Sequence, residues 1–212
     1  MHSVTIDPAI LYFGTPVALL STENDDGSTN LAPMSSIFWL GHTAVLGLGS
    51  SSRTAANLLR TGECVINLPS ADQVDVVDRL ALTTGRPDVP EHKRVAGYEH
   101  EPDKFGRARL SPAPSATVAP LGAAECPVRL ETRLVDSYPL GGSDPEARGR
   151  TVALEVAVQR VRVHDTIRVP GTDHRIDPDR WRPLIMSFQR YYGLGTELHP
   201  SRLATIDESW YR

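Results

Sequence analysis

The first third of the chain is built of short apolar runs separated by turn residues. Pro16 to Thr22 (PVALLST) is apolar and β-prone, and the polar stretch Glu23 to Ser28, with Asp26-Gly27 inside it, signals a hairpin turn. A second strand begins near Thr29 and leads into an apolar loop, Ile37 to Leu40 (IFWL). Thr43 to Gly49 (TAVLGLG) reads as a third, buried strand and Glu63 to Leu68 (ECVINL) as a fourth. Between them the spacing predicts a helix: Ser52 is an N-cap, Ala55, Leu58 and Leu59 share one face, and Gly62 stops it. A second helix is expected over Asp72 to Leu82, with Val74, Val77, Leu80 and Ala81 on one side.

From Gly85 to Pro127 prolines are frequent and apolar periodicity fades, as in a long surface excursion; loops of this length tend to serve function. Val128, Leu130 and Leu134 then alternate with charged residues, predicting a half-exposed strand, and Asp136 to Gly149 reads as a loop. Val152, Leu154, Val156 and Val158 alternate until the phase slips by one before Val161 and Val163, the signature of a β-bulge in a long bent strand. The last segment, Asp177 to Tyr192, has a helical start near Pro178. Six of the thirteen aromatic residues follow Arg180, so the tail over 177–212 is expected to pack on the domain or on a second subunit. The tally is mainly β with α decorations: a six- or seven-stranded antiparallel barrel, one domain over residues 1–212.

Composition narrows the chemistry. Net charge is −4, which argues against nucleic acid or an anionic membrane as the main partner, and the basic residues are twenty arginines against two lysines, Lys93 and Lys104. Compositional bias accounts for most of that excess, although Arg also forks onto phosphate and carboxylate. Cys64 and Cys126 belong to no metal or redox motif and read as free thiols of a reducing compartment. No signal-peptide pattern and no membrane-length apolar run occur, so the expected location is cytoplasmic.

Two stretches carry candidate chemistry. In Gly47 to Asn57 (GLGSSSRTAAN) a strand ends, three serines follow, and a helix starts with Arg53 and Thr54 in its first turn. Exposed N–H groups, the helix dipole, the hydroxyls of Ser50, Ser51, Ser52 and Thr54 and the Arg53 guanidinium fit a phosphate; simple capping with a solvated Arg53 fits as well. The GxGxxS run lacks the acidic residue a dinucleotide fold places at the end of the next strand, and no P-loop sequence occurs. The second stretch is Asn30, Leu31, Ala32, Pro33, Met34, Ser35 and Ser36, whose short residues around a proline could present amides and hydroxyls to a flat heterocycle, or could form an irregular strand end. The histidines show no metal-binding spacing, His164-Asp165 reads as a surface pair, and Arg182, Arg190 and Tyr192 are candidates to reach a substrate.

Together these stretches resemble the flavin reductase-like family of FMN-binding split-barrel proteins. The resemblance rests on Gly14 to Thr22, Asn30 to Ser36, Ser52 to Asn57 and Gly62 to Asn67, weakens over Val128 to Val163, and returns from Arg182 to Gly193. It implies that Asn30 to Ser36 line the isoalloxazine ring, that Ser50 to Thr54 with Asn57 hold the ribityl phosphate, and that NAD(P)H serves as a dissociable co-substrate. It also implies a homodimer, with Ile37 to Leu40 and the aromatic tail as candidate interface. Many members carry H-x-x-x-x-G-E-V before the long late strand; here Gly149 to Val156 has neither that His nor that Gly. The expected function is an FMN-dependent oxidoreductase passing electrons between a donor such as NAD(P)H and flavin or a small acceptor. The alternative is a non-catalytic FMN carrier or redox sensor, which the missing His favours.

Overall fold

Residues 17–22 are small or apolar at nearly every position, so a strand there has to be covered on both faces. In the computed structural model, which describes residues 1–211 and the side chains of all of these except 209 and 211, it is. Ala18 and Leu20 point into one core and Val17 and Leu19 into another, all nearly inaccessible.

The strands in chain order are β1 (Phe13–Pro16), β2 (Ala18–Glu23), β3 (Thr29–Met34), β4 (Ile37–Leu40), β5 (Thr43–Gly49), β6 (Glu63–Leu68), β7 (Thr83–Thr84), β8 (Glu99–His100), β9 (Pro112–Ala113), β10 (Gly122–Ala123), β11 (Val128–Pro139), β12 (Thr151–Val163), β13 (Leu184–Ser187) and β14 (Arg190–Gly193). The α-helices are α1 (Arg53–Thr61), α2 (Val74–Asp78), α3 (Glu91–Val95) and α4 (Lys104–Ala108).

Seven strands form one antiparallel sheet in the order β3-β2-β6-β11-β12-β5-β4. Its two edge strands, β3 and β4, are joined by Ser35 and Ser36 alone, a link that spans no more than about 11 Å. The edges therefore come together at that link, which closes the sheet into a barrel. Gly47 N–H donates to the Ser36 carbonyl at 2.7 Å, carrying the β4–β5 ladder one residue past the Ile37–Leu46 pair. A Cβ on Gly47 would lie 3.0 Å from Ser36 Cβ, so this end of the β4–β5 ladder calls for a residue without a side chain. The barrel interior holds Leu20, Leu46, Leu58, Ile66, Leu154 and their neighbours. Outside β2 and β3, a second core gathers Leu19, Leu31, Val77, Leu80, Phe105 and Leu184 beneath the small β1-β13-β14 sheet.

The expected phase slip in the late strand is present: Glu131 pairs Arg160 and Thr132 pairs Val158, leaving Gln159 as the extra residue of a bulge. Four segments differ from the sequence reading. Ile37 to Leu40 is a strand, because the two-residue turn Gly41-His42 folds it back against β5. The Asp136–Gly149 loop is shorter than expected, since β11 runs on to Pro139 against β12. The second helix is reduced to a 3-10 turn, Ala71–Gln73, and α2, because Thr83 and Thr84 are drawn into a two-residue parallel ladder with Glu99 and His100. After Asp177 only a single turn forms; β13 and β14 follow as a hairpin whose turn residues Phe188 and Gln189 both have positive φ, at 46° and 63°. No Asn-Gly announces that turn; Phe188 is held by an edge-to-face contact with Phe13, ring centres 4.9 Å apart. Tyr211 and Arg212, part of the expected aromatic tail, lie outside the fully described residues, while Trp181 packs on the barrel core and Tyr191 on the second core.

Candidate functional site

The start of α1 is set by Ser52, whose extended backbone and hydroxyl, accepting from Ala55 N–H at 3.1 Å, make a true N-cap; Gly62 in the left-handed region ends the helix. The first turn holds no acid and instead carries Arg53. A cation there opposes the helix dipole at a cost of about 0.3–1 kcal/mol, so stability does not explain it. Arg53 reaches Asp25 at 3.3 Å, and Arg60 shares the same carboxylate at 2.9 Å; Asp25 is mostly exposed, so this pair is weak and easily exchanged.

Behind the helix start lies a buried polar network. Asn30 donates to Thr54 Oγ1 at 3.1 Å, and Asn57 donates to Thr22 Oγ1 at 3.2 Å and Asn24 Oδ1 at 2.8 Å. It pins α1 to the β2–β3 hairpin, so the helix end and β3 keep a fixed relation. Gly85 closes over both: a Cβ there would sit 2.4 Å from Asn30 Oδ1 and 3.2 Å from Arg53 Cγ.

A cavity of about 490 Å³ opens between β3, the barrel closure, the end of β5, the start of α1, the 77–85 segment and the β13–β14 hairpin. Of the residues expected at a site, Asn30, Ala32, Pro33, Met34, Ser35, Ser36, Ser52, Arg53 and Thr54 line it. Leu31, Ser50, Ser51 and Asn57 do not. Leu31 faces the second core, Ser50 Oγ donates to the Gly149 carbonyl at 2.7 Å, the Ser51 carbonyl accepts from Arg86 at 3.0 Å, and Asn57 stands behind the wall in the polar network. Gly149, at the position of the family's His, thus ties the strand ends together outside the cavity. Arg182, Arg190 and Tyr192 also miss the wall, whereas the neighbouring Tyr191 is on it.

The sequence reading missed the other half of the lining, above all Lys93, Tyr98 and Lys104. The chain has only two lysines, and both face this one cavity. That scarcity was the available signal. Lys104 is 2% exposed and donates to Thr83 Oγ1. Burial pushes its amine down to about 8; Glu101 opposes this, and Lys93 and Arg107 add to it. Lys93, whose ammonium lies 5.5 Å from the Tyr98 ring centre, is also held below the usual lysine range by burial and by Arg86. Among the described residues none that lines the cavity is acidic. Cys64 and Cys126 are buried elsewhere, their thiols pushed up to about 12 by desolvation, and are inert. His164 is engaged with the Ala124 carbonyl at 2.9 Å, away from the cavity.

Comparison with known proteins decides the family. A profile described as Flavin reductase like domain matches residues 10–195. The chain belongs to the flavin reductase-like family. Within it, the protein YdfE of Bacillus subtilis, described as uncharacterized, is 37% identical over 193 residues, covering 91% of this chain and 90% of its own length. Flavoredoxin from Methanosarcina acetivorans superposes with a TM-score of 0.72 at 16% identity, covering 97% of both chains. Nitrilotriacetate monooxygenase component B from Bacillus cereus gives 0.73 at 21% identity, over 94% of this chain and 100% of its own. The fold is thus the split barrel of flavin reductase-like proteins. Among the described residues no helix is long and apolar enough to cross a membrane.

Proposed function

We propose that the protein binds FMN in the cavity between β3 and the start of α1 and acts as an oxidoreductase, moving electrons between a donor such as NAD(P)H and flavin or a small acceptor. The observation that carries this reading is the two-part wall: a run of small residues, Asn30 to Ser36, next to a helix start that combines free N–H groups, hydroxyls and a guanidinium whose partner, Asp25, is exposed. The donor set fits the cofactor. Ser52, Arg53 and Thr54 would hold the terminal phosphate, and the absence of acid from the described lining leaves that dianion unopposed. Backbone groups of Ala32 to Ser36 would meet the polar edge of the ring, while Val17, Val77 and Met186 shield it from water. When bound, the flavin supplies hydride and electron chemistry that no side chain here provides. The protein's part is to orient, to exclude water and to offer cationic donors to developing negative charge.

The test is spectral. Protein loaded with FMN should show the visible bands of a bound flavin and lose them on anaerobic addition of NADH or NADPH. A protein that takes up no FMN would remove the proposal. A flavin that neither nucleotide bleaches favours the second reading, an FMN carrier or redox sensor, which Gly149 in place of His supports. A homodimer belongs to the same reading: Phe38 and Leu40 on edge strand β4 are 53% and 74% exposed, and Phe13 72%. The expected solution mass is twice 23.2 kDa.

A further inference from the structure

Residues 86–98 are tethered to the rest of the molecule at very few points. None of them is buried, α3 included, and Val95 stands 78% exposed. The segment leaves and rejoins the body at a two-residue parallel ladder, Thr83 and Thr84 against Glu99 and His100. It holds its own shape: the N–H groups of Lys93 and Arg94 donate to the Pro90 carbonyl at 2.9 and 3.0 Å, Tyr98 N–H donates to the Lys93 carbonyl at 2.9 Å, and Arg86 pairs with Asp88 at 2.6 Å. Among the described residues, one hydrogen bond ties it to anything beyond the ladder, from the Arg86 guanidinium to the Ser51 carbonyl at 3.0 Å.

The stem beneath it is the reverse. Thr84 is buried, and Gly85 is pressed so close to Asn30 and Arg53 that a Cβ would not fit. A fixed stem carrying a self-contained unit that buries nothing is the anatomy of a flap, because such a unit opens without disturbing the core. This one reaches the cavity, where Lys93 and Tyr98 form part of the wall, and its tether lands on Ser51, beside the Ser52 cap of α1. Lys93 meets no carboxylate among the described residues; its ammonium lies over the Tyr98 ring, with Arg86 near enough to act against its charge. An anion in the cavity supplies the partner that this lysine lacks.

We propose that residues 86–98 form a flap that closes over the ligand of this cavity, latched by Arg86 on the Ser51 carbonyl, with Lys93 brought to the ligand's anionic group. The inference rests on the flavin reading for the identity of that ligand, FMN, and on the tethering alone for the flap.

The scarcity of lysine makes the test selective. Endoproteinase Lys-C cuts after lysine, so it has two sites, Lys93 on the flap and the buried Lys104. In ligand-free native protein the initial rate of the cut after Lys93 should exceed that after Lys104 at least ~10-fold, since the first needs only the flap to open and the second needs the packed body to open. Arg86→Ala should speed the cut after Lys93 about 3- to 10-fold and leave the cut after Lys104 within about two-fold. If that variant does not fold, Arg86→Gln serves in its place. FMN at about 100 times its dissociation constant should slow the cut after Lys93 at least ~10-fold. Equal rates at the two lysines, or a latch variant cut no faster than the wild type, overturn the inference. So does FMN-loaded protein that is cut after Lys93 at the ligand-free rate. A protein that takes up no FMN, yet shows the lysine contrast and the Arg86 effect, loses the cofactor reading and keeps the flap, so the two failures are told apart.

Discussion

Arg53 and Lys104 are cations placed where folding alone would not put them, one against a helix dipole and one out of water. Arg53→Ala should lower FMN affinity by about 10- to 100-fold, the range for losing charge-assisted contacts, with little change in the unfolding temperature because the Asp25 pair is exposed. Unchanged affinity, measured by fluorescence titration, would reduce the helix start to a cap. Lys104 predicts the opposite balance. Its lowered pKa means that the folded state sheds the proton more readily than the unfolded one, so the charged amine costs stability below about pH 8 and that cost fades as pH rises from there towards the ordinary lysine value. Lys104→Met, which fills the same space without charge, should raise ligand-free stability by on the order of 2 kcal/mol in denaturant titration at pH 7. A destabilised variant would show that the amine is a structural partner of Thr83.

Among elements, the loop over 111–121 is held by three carboxylates, Glu125 at Ser111, Glu63 at Ala119 and Glu131 at its middle. Glu131 on β11 is 1% exposed and accepts from Ala116 N–H at 3.0 Å, Thr117 N–H at 2.7 Å, Thr117 Oγ1 at 2.6 Å and Arg162 Nε at 3.0 Å. Burial pushes its pKa up, but the Thr117 hydroxyl, Arg162 and the two amides outweigh it and hold the group at about 2. A carboxylate with a depressed folded pKa contributes stability that is complete above the unfolded value, ~4.3, and is lost as pH falls towards 2. Glu131→Gln should flatten the acid limb of the stability profile; an unaltered limb would assign acid unfolding to other groups. Sequence legibility followed the same division. The hairpin at Asp26-Gly27, the Ser52 cap with its Gly62 stop and the bulge at Gln159 are written in local pattern, because turn, cap and period are local physics. Ile37 to Leu40 was not, because its hairpin turns on Gly41-His42, which is no strong turn dipeptide, and the Phe188–Gln189 turn was not, because the tertiary Phe13 contact decides it. Half of the candidate site was legible as Asn30 to Ser36 and Ser52 to Thr54. The Lys104 half was not, because α4 is five residues long and burying a lysine is a property of what surrounds it.

For the whole molecule, the cavity wall and the barrel closure share residues: Ser35 and Ser36 line the one and form the other. Neighbouring strands of the sheet are joined by paired registers, whereas among the described residues β3 and β4 are joined at this seam through the Ser35-Ser36 link. Anything held against the seam is therefore also a clasp on the barrel, and ligand occupancy becomes mechanical stiffness. Native-state hydrogen exchange would read this at the link. FMN loading should slow exchange of the Ser35 and Ser36 N–H groups more than that of Leu20 or Ile66 in the paired part of the sheet, and equal slowing throughout would mean that the seam does not open on its own. A split in the barrel, on this account, is less a flaw in the sheet than the place where a ligand's hold and the barrel's stiffness become one quantity.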